Sequence, residues 1–134
     1  MPTEIEVPFA TRIAGLGVRG RIDAVFADQD GGRTVVDWKT GPPPPPARRA
    51  AAAVQLACYR IAIAELSRLP LTGVRAAFHY VPTGTTVAPV DLLDADGIGE
   101  LIAAAVGGTD AHGVGAPGAG AVGQTVTLAP GVPP

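Results

Sequence analysis

Polar and apolar residues alternate along roughly the first forty positions, a spacing of two that predicts strands. Glu4-Ile5-Glu6-Val7-Pro8-Phe9 predicts a first strand that ends near Pro8. Val18-Arg19-Gly20-Arg21-Ile22-Asp23-Ala24-Val25-Phe26 predicts a second, and residues 34–40 a third that is rich in β-branched side chains. Gly15 to Gly17 make a turn, and Asp28-Gln29-Asp30-Gly31-Gly32 reads as a hairpin loop. Pro42 to Pro46 fit neither a sheet nor a helix interior and predict a polyproline II spacer. The period then lengthens. Residues 47–69 are alanine-rich, hold no glycine or proline, and place Leu56, Tyr59, Ile63 and Leu66 at three- and four-residue steps, predicting a helix with that buried stripe and with Arg48, Arg49, Arg60 and Arg68 in solvent. Val74, Ala76, Phe78 and Tyr80 mark a fourth strand, residues 85–90 a short fifth, and Asp94 or Asp96 caps a last helix to about Val106. Residues 107–134 contain eight glycines and four prolines and predict a disordered tail. The reading is an α/β domain over 1–106, with a mixed, mainly antiparallel sheet and the 47–69 helix packed across it.

Strand geometry gives the third strand its interest. Val35, Asp37 and Lys39 share one face; Val36 and Trp38 share the other, where Trp38 is expected to join the core. With the hairpin centred near Asp30, Phe26 faces Thr34, Val25 faces Val35, and Asp23 faces Asp37. Directly opposed Cβ atoms lie about 4.5–5.5 Å apart, where like charges are unfavourable. Two carboxylates set there among valines and isoleucine need a cation between them. A one-residue slip would send one of them to the far side of the sheet.

Composition narrows the setting. The chain has 134 residues, enough for one domain. Its single cysteine, Cys58, excludes an intrachain disulfide, and a reducing, cytoplasmic location is expected. No apolar run reads as a membrane span, so no membrane partner is expected. Lys39 is the only lysine among ten basic residues, and an ammonium is not interchangeable with a guanidinium. Net charge is −2, but residues 1–75 hold all ten basic residues against seven acids, a net of +3, while residues 76–134 hold five acids and no base. A basic first half suits a phosphate backbone.

Paired carboxylates beside a lysine are the equipment of metal-assisted phosphodiester hydrolysis. Carboxylate oxygens are hard ligands suited to Mg²⁺ or Mn²⁺. Gln55 and Tyr59 stand one helical turn apart on one face. Gly20-Arg21-Ile22-Asp23, then Val36-Asp37-Trp38-Lys39-Thr40-Gly41, then Gln55-Leu56-Ala57-Cys58-Tyr59, taken in that order, resemble the PD-(D/E)XK nucleases of the RecB type. The closest likeness is to the nuclease domain at the C-terminus of actinobacterial UvrD/RecB-like helicase–nucleases (AdnB-like), and it covers about residues 4–104.

The resemblance implies a restriction-endonuclease-like core and a Mg²⁺- or Mn²⁺-dependent exonuclease. It implies that Asp23 and Asp37 bind the metal with the backbone carbonyl of Trp38, and that Lys39 is the catalytic lysine. It places Gln55 and Tyr59 beside the reacting strand and matches Glu6 to an acidic position of the preceding strand. The implied partners are DNA, as single strands, and a helicase motor in the same longer chain or in a partner subunit, acting in double-strand break repair and recombination. No G-x-x-x-x-G-K-[ST] occurs here, so the motor lies elsewhere. The RecB type also carries a metal-binding histidine on a helix before the first strand. Neither His79 nor His112 matches it, so the chain is expected to be a partial domain lacking its N-terminal helices. The alternative reading is a non-catalytic DNA-guiding or subunit-docking module of the same fold.

Overall fold

Three strands open the chain as an antiparallel meander. The computed structural model describes residues 2–110 and 125–128. In it, β1 (Glu4–Ile13) pairs with β2 (Leu16–Ala27), and β2 pairs with β3 (Arg33–Lys39). The chain then enters helix α1 (Pro46–Ser67), passes a 3-10 turn at Leu71–Gly73, and returns as β4 (Val74–Tyr80), parallel to β3. Parallel neighbours need a long crossover of this kind. β5 (Thr85–Val87) runs antiparallel to β4, and helix α2 (Ala95–Asp110) follows, its first turn capped by the Asp94 carboxylate on Gly97 N–H at 2.8 Å. A last strand, β6 (Thr125–Thr127), pairs parallel with Gly17–Arg19 of β2. The sheet order is β1-β2-β3-β4-β5 with β6 beside β2, a mixed and mainly antiparallel sheet as expected.

α1 packs Leu56, Tyr59, Ala62 and Ile63 onto the sheet, where they meet Phe9, Ile22, Val25, Val35 and Phe78. Alanine gives α1 the length and composition of a membrane span, contrary to the expectation that no run approaches one, yet this packing marks it as the core helix. Arg60 was read as a solvated residue. Its guanidinium instead donates to the carbonyls of Val74 (2.7 Å) and Leu71 (2.9 Å), clamping the helix to the turn that launches β4.

Four other expectations are corrected. β1 does not stop near Pro8 but runs to Ile13; it is an edge strand, where a missing N–H breaks no ladder bond. Leu66 is exposed, not buried. Arg68 takes a left-handed cap (φ 56°), and its successor Leu69 folds back to cover the core. Trp38 is half-buried on the sheet face away from α1 and does not join the core cluster. Finally, within the stretch read as a disordered tail, residues 107–110 continue α2 and Thr125–Thr127 form β6. A Cβ on Gly20 would approach Leu128 to 3.1 Å, so the missing side chain admits that residue. Residues 111–124 and 129–134, with His112 among them, lie outside the described residues.

One irregularity positions the site. Gly20 pairs with Phe9, whose ring meets Tyr59 edge-on at 5.7 Å. Three residues later Asp23 lies near enough to Tyr59 to act on its hydroxyl. An odd step along a regular strand changes face, so the alternation of β2 breaks once. Ile22 and Asp23, both buried, are adjacent residues on the α1 side. Opposite them on β1, Glu6 adopts φ 49°, a left-handed conformation rare outside glycine. The β1–β2 pairing is interrupted at this rung, between Ile5–Ala24 and Val7–Ile22.

The hairpin between β2 and β3 fixes the register beyond that break. Gly31 holds φ 90°. A Cβ on Gly32 would lie 2.5 Å from the Gly73 carbonyl oxygen, so this loop abuts the start of β4 with no room for a side chain. Arg75 on β4 pins the loop further, pairing with Asp28 at 2.9 Å and Asp30 at 2.8 Å. Gly32→Ala should therefore lower stability by about 1–3 kcal/mol, read as a fall in the urea midpoint at unchanged slope. An unchanged midpoint would mean that the loop and β4 separate freely.

Candidate active site

The β2–β3 register is the one expected from the loop: Ala24 pairs with Val36, Val25 with Val35, and Phe26 with Thr34. At the next rung Asp23 reaches across, and its Oδ2 accepts the Trp38 backbone N–H at 2.9 Å. Two positions apart on β3, Asp37 and Lys39 share a face, with Lys39 Nζ 3.1 Å from Asp37 Oδ2. The Asp23 carboxyl bears directly on that of Asp37, so both acids lie on the α1 side of the sheet. Phe78, paired with Asp37 on β4, lies under the lysine with its ring centroid 5.9 Å from Nζ.

Asp37 is the most unusual side chain in the protein. It is fully buried, and among the described residues neither of its carboxylate oxygens receives a hydrogen bond of good geometry. Burial pushes its pKa up to about 6; the Lys39 charge works against this and the neighbouring Asp23 adds to it. A buried carboxylate crowded by a second acid is costly, and the partly exposed Lys39 offsets only part of that. A hard divalent cation would supply the missing charge, and the oxygen donors of Asp23 and Asp37 fit Mg²⁺ or Mn²⁺.

From α1 comes the organic wall. Gln55 Nε2 donates to the Tyr59 hydroxyl at 2.7 Å. Burial drives the Tyr59 pKa to about 12, partly opposed by the Gln55 hydrogen bond and reinforced by Asp37 and Asp23. Tyr59 thus stays protonated and serves as a hydrogen-bonding group, not as a base. Burial likewise raises the Cys58 thiol to about 11, leaving it an inert core residue. In front of Lys39 opens a groove of about 430 Å³, bounded by residues 40–44 on one side and by Arg48 and Gln55 of α1 on the other.

A family model described as the PD-(D/E)XK nuclease superfamily matches residues 1–113. The chain belongs to the PD-(D/E)XK nuclease superfamily. Members are usually metal-dependent nucleases, and the mixed sheet with its two helices is the superfamily's restriction-endonuclease-like α/β fold. No curated protein matches the chain.

Within this PD-(D/E)XK domain the structure brings together Asp23, Asp37, Lys39, Gln55 and Tyr59. Glu6 stays apart, exposed on the edge strand. His79 pairs with Trp38 on the far face, where its Nδ1 meets Thr86 Oγ1 at 2.8 Å. Among the described residues no third acid, histidine or cysteine completes a cluster. Arg48, expected in solvent, is exposed at the start of α1 and lines the groove, on the stripe Arg48-Ala52-Gln55-Tyr59.

The Asp37 titration gives a test. Its folded pKa of about 6 lies above the ordinary 3.8, so a proton favours the metal-free fold. Its contribution to stability improves as pH falls from about 6 to 4 and is lost as pH rises through 6. Relative to wild type, Asp37→Asn should melt a few degrees higher in EDTA at pH 7.5, with the gap closing near pH 4. Mn²⁺ should raise the wild-type melting temperature at pH 7.5 and progressively less below pH 6. An Asp37→Asn protein with the same Mn²⁺ shift would remove Asp37 from the metal site.

Proposed function

We propose that this chain is the RecB-type nuclease module of an ATP-dependent helicase–nuclease, cutting single-stranded DNA during double-strand break repair and recombination. The observation that carries this reading is the buried Asp37 carboxylate, ion-paired with the chain's only lysine and crowded by a second acid. The order of the three sequence motifs supports the RecB type. A buried, unreactive Cys58 is compatible with the reducing cytoplasm in which such a protein would work.

Asp23 and Asp37, with the Trp38 carbonyl, would hold one divalent ion. When bound, that ion polarises a phosphoryl oxygen and lowers the pKa of a coordinated water. The Trp38 N–H fixes the Asp23 carboxylate against β3, so one acid is oriented before any ligand arrives. Lys39, partly exposed at the mouth of the groove, can hold the attacking water and neutralise charge as it grows on the phosphoryl oxygens. Tyr59 and Gln55 form a pre-aligned hydrogen-bonding pair that orients the strand.

The decisive measurement is hydrolysis of end-labelled single-stranded DNA in Mg²⁺ or Mn²⁺. Lys39→Ala should slow cleavage by about 10²–10³-fold while the Mn²⁺-induced thermal shift persists. Asp23→Asn and Asp37→Asn should lose both. Absence of cleavage, with either metal, by both the wild-type chain and a version extended upstream would overturn the nuclease reading, and full turnover by Lys39→Ala would remove the lysine from the chemistry.

A further inference from the structure

The groove before Lys39 runs from Lys39 and Tyr80 along α1. Its far end is formed by the first turns of α1, where Arg48 lies two turns before Gln55 on the same side of the helix. Seven residues of helix span about 10 Å, too far for one phosphate group to bridge but within reach of successive phosphates of one strand. One wall is Thr40-Gly41-Pro42 and Pro44, part of a run whose fixed φ keeps it stiff. Arg49 fastens that wall to the helix by donating to the Pro44 carbonyl at 3.3 Å. The other wall presents Ala51 and Ala52, small side chains that let a backbone come close.

Charge defines the occupant. Lys39 and Arg48 line the groove, and no carboxylate does. Arg49, Arg60 and Arg75 are each engaged with carbonyls or acids. The Arg48 guanidinium, by contrast, has no hydrogen bond or ion pair among the described residues. The groove of about 430 Å³ has a volume that suits a single nucleotide segment.

We propose that Arg48 is a substrate-positioning residue that binds a phosphate next to the one being cleaved, seating a single nucleic-acid strand between the proline wall and the alanine face of α1. The identity of the strand rests on the nuclease reading above. The guanidinium would pair with two phosphate oxygens at once, and the adjoining sugar would lie against Pro42 and Pro44.

Strand binding without cleavage separates the two ideas. In EDTA, anisotropy of a labelled oligothymidylate should show Arg48→Ala binding about tenfold or more weakly. Its log K against log salt slope should be shallower by about 0.7, the value of one single-strand phosphate contact. Arg48→Lys should restore most of the slope, and Arg68→Ala, the same charge change at the opposite end of α1, should leave it unaltered. Replacing phosphates one at a time with neutral methylphosphonate should weaken wild-type binding at one position, and Arg48→Ala should abolish that positional effect. Circular dichroism checks that the variants fold; should Arg48→Ala fail, Arg48→Gln takes its place. Equal slopes for Arg48→Ala and Arg68→Ala, no positional coupling, or no strand binding by wild type would each overturn the proposal. Arg48-dependent binding in a protein that never cleaves would sustain the groove and defeat the nuclease; cleavage with an Arg48-independent slope would do the reverse.

Discussion

A carboxylate buried in an apolar sheet, paired with one partly exposed ammonium and crowded by a second acid, is the constraint around which this fold is arranged. Removing Asp37 from water carries a penalty that an ordinary core would avoid by substituting a valine. The surroundings here concentrate the penalty instead. Val25 and Val35 keep water out, Asp23 adds a second negative group, and Lys39 offsets only part of the charge because it is itself partly in solvent. What is lost in stability without metal would become attraction for a cation of the right hardness and size, the kind of ion that members of the superfamily generally use.

Three structural devices cooperate to hold that arrangement. The tight hairpin sets which residues of β2 and β3 oppose one another. The break in alternation at Ile22–Asp23 lets β2 place Ile22 under the helix and Asp23 in the site, two tasks that a regular strand divides between its faces. The crossover through α1, clamped by Arg60, brings Tyr59 and Gln55 over the acids from a distant part of the chain. None of the three is specific to catalysis; each is ordinary backbone or packing physics applied at one place.

Much of this was legible in the residues. The loop composition gave the β2–β3 pairing directly, because a hairpin centre and a period of two leave few registers open. The helix was visible from its unbroken alanine-rich run, and the acids and lysine from their spacing. Other features were hidden for identifiable reasons. The face change at Asp23 lies opposite a left-handed φ at Glu6, which a glutamate does not advertise. Arg60 looked solvated because its acceptors are backbone carbonyls, absent from any side-chain pattern. β6 disappeared in the average composition of the tail, although Thr125-Val126-Thr127 is locally a good strand sequence.

That short strand has a consequence for how the protein behaves among its own copies. β3 pairs with Ala24–Ala27 of β2, while β6 pairs with Gly17–Arg19. On the side away from β1, it is β6 that satisfies this earlier part of β2. Stripped of it, Val18 and its neighbours would present a bare row of amides and carbonyls, a template onto which another chain can add. Three residues near the C-terminus thereby act as a guard against intermolecular sheet growth, a task quite separate from chemistry on a phosphodiester.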